Sequence, residues 1–291
     1  MLAEWFARIR VRDERVAVGP RVGEDAAAIA FGDQCLIVST APITFAADRL
    51  GWYAVHVNAN DAATMGAPPR WFLATLLLPE ARGARTPFGP KEAEAIFTDV
   101  LQACEGLGVA IEATAILARE RAAEVADGFG PAFQRRAAAF LDAPGISVVA
   151  PAMVAAALPG VRAMHDPTEG GMVTALRELA EAAGAGVRVR REAIPVYPEC
   201  EQLCCRYGLD PLGALASGAL LIVVGPGAAD AVCAAVRGAG FPCVEIGELT
   251  PDQGRCVFAS AAGDTPLPEF AADEVTKILS RFPVATPWRF W

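Results

Sequence analysis

Residues 50–65, LGWYAVHVNANDAATM, carry apolar side chains at helical spacing and run into Gly66-Ala67-Pro68-Pro69, a strong stop for a helix. A helix this apolar has to be covered by other layers of structure. Yet Asn58, Asn60 and Asp61 lie within it. Burying such groups without partners costs roughly 1–3 kcal/mol each. The fold must let these three groups satisfy local backbone or hold something that the sequence does not contain.

The flanking segments supply the layers. DAAAIAF (25–31) and CLIVST (35–40), split by Gly32-Asp33, predict a hairpin. WFLATLLLP (71–79) reads as a buried strand, and GPKEAEAIFTDVLQACEGLG (89–108) as an amphipathic helix with Pro in its first turn and Gly at its end. VAIEATAILARERA (109–122) starts like a strand and continues like a helix, and SVVAPAMVAAAL is a helix or buried run closed by Pro159-Gly160. VRAMHDPTEGG gives a short apolar lead and a turn before a helix that ends at Gly184–Gly186. A Pro-opened helix over IPVYPECEQLCCRYG, a strand over ALLIVVGPG, then a helix, a turn and a strand to Leu249 complete the alternation. The class is α+β or mixed α/β. The 291 residues suit two domains, and 54% hydrophobic content permits real cores. The arginine run at 188–191 reads as a solvated strand edge.

Composition removes several functions. A net charge of −9 argues against a nucleic-acid surface. Apolar stretches break well short of membrane-spanning length, and MLAEWFARIRVRDER has no secretory apolar core, so a cytoplasmic protein with no membrane partner is expected. Cys35, Cys104, Cys233, Cys243 and Cys256 read as small buried hydrophobes. Cys200, Cys204 and Cys205 lack a CxxC spacing or a nearby His, which favours inward packing over a metal site. Lys91 and Lys277 are the only lysines and no GxxxxGK[ST] occurs, so any phosphates must be held by metal-bridging carboxylates, arginines or helix N-termini.

Polar residues interrupt apolar segments at VGEDAA (Glu24, Asp25), STAPITF (Ser39, Thr40), VNAND (Asn58, Asn60, Asp61) and HDPTEGG (Asp166, Thr168). Each alone could be a turn or a helix cap. Together, carboxylates on separate elements can converge on Mg²⁺, which takes oxygen ligands and bridges phosphate oxygens. Gly170-Gly171 lets backbone approach a ligand, and the helix start behind it favours an anion. These features suggest a Mg-nucleotide site.

VGEDAAAI, VNANDAATMGAPPRWFLATLLLPE and MHDPTEGGMVTAL, in that order, resemble the aminoimidazole ribonucleotide synthetase (PurM-like) superfamily. IPVYPECEQLCCRYGLDPL at 194–212 is similar to its HypE-like branch, related to hydrogenase maturation factor E. The resemblance, over roughly 20–280, implies a two-domain PurM-like α+β architecture, divided here as 1–110 and 111–291. The first domain's strands would join a partner subunit in a β-barrel, making a homodimer. It implies ATP and Mg²⁺ in the cleft and phosphorylation of an oxygen of a small-molecule or protein carboxamide, in hydrogenase maturation. Carried over, Asp25 and Asp61 would be metal ligands and Asn60 would support Asp61. Asp166 would face the nucleotide from the second domain, and Thr40, Thr168, Gly170 and Gly171 would complete the nucleotide-binding set.

The chain departs from that pattern at three places. Ala41 stands where the family has an aspartate, no GGHTE-type segment separates Gly108 from IEATAILA, and PWRFW has no cysteine where the maturation factor carries its carbamoyl group. Two alternatives therefore stand beside the ATP-dependent enzyme. One is a relative that kept the architecture as a binding or scaffold protein; the other is a thiamine-monophosphate kinase-like phosphotransferase.

Overall fold

The computed structural model describes residues 9, 11–19, 24–43, 48–72, 94–96, 98–100, 103, 112–143 and 145–279. The strand expected over 71–79 lies outside the described residues beyond Phe72, as do the strand-like start at 109–111 and the PWRFW tail. Of the helix expected over 89–108, residues 94–96, 98–100 and 103 are described and helical.

Strands β1 (Val16–Val18), β2 (Ala27–Phe31) and β3 (Gln34–Val38) form an antiparallel sheet in that order. Phe31 pairs with Gln34 across the two-residue turn, where Gly32 takes φ +63°. Phe31, Leu36 and Val38 leave apolar surface exposed on this sheet. Cys35, expected to be buried, is exposed on β3, because that strand has no covering layer among the described residues.

Helix α1 (Leu50–Thr64) follows, with Tyr53, Val55, Val57, Ala59 and Ala63 buried. Its start is unusual: Arg49 has φ 58° and is held there by Asp99 (3.2 Å) and Asp142 (3.4 Å), with its guanidinium 4.5 Å from the Trp52 ring centre. A Cβ on Gly51 would run into the carbonyl oxygen of Ile96, so close backbone approach requires glycine there. Ala59 and Ala63 pack against Val149 and Ala152, and so α1 touches the second half directly.

Helices α2 (Glu112–Glu120), α3 (Ala122–Phe129) and α4 (Pro131–Ala138) form a cluster, and α5 (Val149–Ala156) follows them. The main core joins Tyr53 of α1 to Ile116, Leu117, Val125, Phe133 and Leu203. Strand β4 (Val161–His165) leads into helix α6 (Gly171–Ala182), strand β5 (Gly186–Val189) and helix α7 (Pro198–Tyr207). Next come β6 (Leu221–Val224), α8 (Ala229–Gly238), β7 (Gly247–Thr250), β8 (Cys256–Phe258), β9 (Thr265–Pro266) and α9 (Thr276–Leu279). Strand β4 pairs antiparallel with β6, and a four-stranded sheet runs β7-β5-β8-β9.

The arginine run needs a correction. Arg188 belongs to β5, which is flanked by antiparallel β7 and parallel β8, so it lies on an interior strand and not an edge. Val187 and Val189 point into the core under α6 while Arg188 faces solvent and pairs with Asp264 at 3.3 Å, so what is solvated is one face of the sheet. Cys200 and Cys204 are buried on α7, their sulfurs 4.0 Å apart, as inward packing predicts, but Cys205, one position on, turns to the outer face of the helix and is exposed. The architecture is the expected α+β. Among the described residues no helix is long and apolar enough to cross a membrane.

Candidate metal centre

The two asparagines of VNAND are splints. Asn58 accepts from the Ala41 N–H at 2.7 Å and donates to the carbonyls of Ala41 (3.2 Å) and Ala54 (2.8 Å). Asn60, fully buried, donates to the Ile146 carbonyl at 2.9 Å and accepts from the Val148 N–H at 2.8 Å. Both ends of the Asn60 amide are thus spent on backbone, and it supports the site by fixing α1 against residues 146–148. Asp61, the third polar residue, is left for something else.

Asp61 sits in the last turn of α1, and its carboxyl is electrostatically coupled to Asp25, which precedes β2, and Asp166, which follows β4. Asp166 is 1% exposed, and neither of its carboxylate oxygens meets a donor from another residue among the described residues. Asp25, His165 and Asp166 each place one possible ligand atom within 4.8 Å of the others. Burial and the neighbouring charges of Asp61 and Asp25 drive Asp166 well above the ordinary carboxylate range. Burial, then the Asp25 charge, pushes Asp61 up to about 7, against the pull of a hydrogen bond from Ser39 and of His165. His165 goes the other way from an ordinary buried imidazole: burial would lower it, but its bonds to Asp25 and Glu178 hold it up at about 10.

Carboxylates gathered in a dry place repel one another, and an unpartnered one costs free energy on top of that. A divalent cation removes both penalties. The orphaned Asp166 oxygens beside Asp25 and Asp61 make a donor set of hard oxygens, which fits Mg²⁺.

Of the remaining predicted residues, Thr168, Gly170 and Gly171 have partners of their own. Thr40 is exposed just past the end of β3, and the hydroxyl of its neighbour Ser39 donates to the Asn58 carbonyl at 3.2 Å. The Thr168 carbonyl accepts from the N–H groups of Gly171 (3.0 Å) and Ala216 (3.4 Å). Gly170 and Gly171 have φ of +78° and +65°. The Gly170 N–H is taken by the Asp273 carboxylate at 2.8 Å. A Cβ on Gly171 would meet the carbonyl oxygens of Ala214 and Leu212 at 2.6 and 2.7 Å. The close backbone approach at Gly171 is therefore made by the chain's own 212–214 turn, while a Cβ on Gly170 would meet the Thr174 side chain.

His165, Glu178 and Asp273 were not anticipated from the sequence. His165 left a signal, since it is one of only two histidines and directly precedes Asp166. Glu178 and Asp273 left none, because their partners lie 13 and 103 residues away.

Fold and site together define an α+β protein in which both halves contribute carboxylates to one buried acidic centre. Residues 23–116 match AIR synthase related protein, N-terminal domain, and residues 104–258 match AIR synthase related protein, C-terminal domain. The carbamoyl dehydratase HypE of Bradyrhizobium diazoefficiens is 30% identical over 86% of this chain and 80% of its own. That of Cupriavidus necator is 29% identical over 80% and 78%. AaThiL complexed with AMPPCP and TMP shares the fold, with a TM-score of 0.60 over 81% of this chain and 87% of that one at 18% identity. The chain belongs to the AIR synthase related family, on its PurM-like, HypE-like branch.

Proposed function

We propose that the chain is an ATP- and Mg²⁺-dependent enzyme that phosphorylates an oxygen of a small-molecule or protein carboxamide in hydrogenase maturation. One observation carries this reading: among the described residues the buried Asp166 carboxylate has no hydrogen-bond partner from another residue, and a ligand oxygen of Asp25 lies within 4.8 Å of it. The carbamoyl dehydratase relatives support the substrate class, and AaThiL, solved with AMPPCP, supports a nucleotide in this fold.

Asp25, Asp61 and Asp166 would hold the cation. When bound, Mg²⁺ supplies positive charge that bridges phosphate oxygens and offsets charge during transfer. Asn60 anchors the helix that carries Asp61, and Ser39 ties the end of β3 to the same helix through the Asn58 carbonyl. Thr40 and Thr168 are the nucleotide contacts of this reading, and Gly170 and Gly171, engaged by Asp273 and the 212–214 turn, form the bend that carries the start of α6. The division into domains 1–110 and 111–291 puts Asp25 and Asp61 on one side and Asp166 on the other, with ATP between them. A cytoplasmic homodimer fits the exposed apolar residues Phe31, Leu36 and Val38 on the β1–β3 sheet.

The test is calorimetric titration with ATP, with and without Mg²⁺, on wild type, Asp61→Ala and Asp166→Asn. Mg²⁺-dependent binding lost in both variants is the expected result. A folded wild type that binds no ATP overturns the reading.

A second reading is a binding protein that has lost turnover. It is favoured by Asp273, whose carboxylate occupies the Gly170 N–H at the start of α6 where a phosphate was expected, and by Ala41 in place of a carboxylate. It predicts ATP binding without ADP formation.

A further inference from the structure

His165 lies in the acidic centre, and its position beside Asp25 and Asp166 suggests a mixed nitrogen and oxygen metal site. The hydrogen bonds say otherwise. Nδ1 lies 2.8 and 2.9 Å from the two Asp25 oxygens, and Nε2 lies 3.0 Å from Glu178 Oε2. An ionised carboxylate only accepts, so both ring nitrogens face acceptors and neither offers a lone pair to a cation. The ring is 5% exposed, and its backbone is fixed by pairing with Leu221 at the end of β4. Turning it to free a nitrogen would abandon one carboxylate in a buried place.

We infer that His165 is a positioning residue, which ties Asp25 of the first half to Glu178 of α6 and so aims the Asp25 carboxylate into an all-oxygen cation site with Asp61 and Asp166. The inference rests on the metal-centre reading above and deepens it. The bridge has directional content: Asp25 approaches the centre from the segment before β2, and His165 holds it from a strand of the other half. Glu178 fixes the far side of the ring. Partners of this kind, one bond removed from the cation, commonly change metal affinity by about 10–100-fold when lost.

Mn²⁺ is a suitable probe, because it takes the same oxygen ligands and its electron spin reports any coordinated nitrogen. The full chain is titrated with Mn²⁺ and its pulsed electron paramagnetic resonance recorded. Bound Mn²⁺ without coupling to a ¹⁴N nucleus is expected. His165→Phe, which leaves Asp25 without its donor, should weaken Mn²⁺ binding by at least about tenfold. His165→Gln retains an N–H donor and should recover part of that loss, whereas a purely space-filling role would not distinguish the two. Glu178→Gln, at a partly exposed position less prone to unfold the chain, should weaken binding by a smaller factor with the spectrum unchanged. Coupling to ¹⁴N in wild type that vanishes in His165→Gln makes His165 a ligand and overturns the inference, while leaving the metal centre intact. Unchanged Mn²⁺ affinity in both Glu178→Gln and a folded His165→Phe also overturns it. A folded wild type that binds no Mn²⁺ at millimolar concentration overturns the metal centre itself.

Discussion

The Gly170 N–H donates to the carboxylate of Asp273 across 2.8 Å and 103 residues of chain. The same carboxylate accepts from Val275 N at 2.9 Å; both bonds favour its charged form, although burial wins and raises Asp273 above its ordinary range. Asp273 thus closes the start of α6 and locks the segment 273–279 beneath it. Asp273→Ala strands these donors in a buried place. It should lower stability by about 1–3 kcal/mol or more, since an unmade buried hydrogen bond costs roughly that much each. Urea denaturation measures it. An Asp273→Asn variant, which keeps one oxygen acceptor, should lose less.

Asn60 should prove as costly to remove as a core residue. Asn60→Leu leaves the Ile146 carbonyl and the Val148 N–H unmade, for an expected loss of about 2–4 kcal/mol. Asn60→Asp should be at least as damaging, because it sets a carboxylate oxygen against the Ile146 carbonyl. The check is the denaturation midpoint of each variant; a loss confined to nucleotide binding, with the midpoint unmoved, would contradict the splint role.

The VNAND helix marks how far the sequence could be read. That 50–65 is a buried helix ending before Pro68-Pro69 was legible, because apolar spacing and a stop signal are local properties. So were the Gly32-Asp33 hairpin and the Pro-opened helix at 198. Asp25, Asp61 and Asp166 stood out as charges in apolar surroundings; Asp25 and Asp166 come within 4.8 Å of each other, and Asp61 acts on both through its charge. The assignments of Asn58 and Asn60 were not legible, since an amide that pins a distant backbone looks in sequence like one that waits for a ligand. Their partners at 41 and 146–148 carry no side-chain signature. The same limit hid Glu178 and Asp273. The place of Arg188 on an interior strand was hidden too, because strand order is set by non-local pairing.

The pH dependence of the cation-free protein follows from Asp61. Its carboxyl titrates near 7 in the fold, against 3.8 for the ordinary value, chiefly through burial. Between those values the folded state binds a proton that the unfolded chain does not, so stability falls as pH rises. The Asp61 contribution is fully present below pH 3.8 and lost as pH passes about 7. Asp166 acts in the same direction. His165 adds its own loss later, between 6.5 and about 10. Chemical denaturation at pH 5 and pH 8 in chelator should therefore give a less stable protein at pH 8. Asp61→Asn should flatten the slope between pH 5 and 6.5. Adding Mg²⁺ should stabilise wild type more at pH 8 than at pH 5. Equal stabilisation at both values would argue against cation binding by these carboxylates.

Two glycines with the same backbone twist should behave differently. Gly208, which ends α7, has φ +68° and open space where a Cβ would go. Gly208→Ala should cost only the left-handed penalty, roughly 1–2 kcal/mol. Gly171 has φ +65° and faces the carbonyl oxygens of Ala214 and Leu212. Gly171→Ala adds a clash with backbone that cannot move without shifting the turn at 212–214, so it should cost at least twice as much. Parallel thermal melts of the two variants decide it.

Leu36 and Val38 are 39% and 47% exposed on β3, and Phe31 at the hairpin turn is 58% exposed. Apolar side chains grouped on one strand next to an unpaired edge are a template for association. If a second copy covers this sheet, Leu36→Glu should place a charge into the contact, and Val38→Lys on the same strand should do likewise. Each should convert a dimer to a monomer in sedimentation equilibrium while the far-ultraviolet circular dichroism stays that of wild type, because neither side chain enters a core in the single chain. Retention of the dimer in both variants would move the contact to another surface. A monomeric wild type would leave the β1–β3 sheet without the second copy proposed for it.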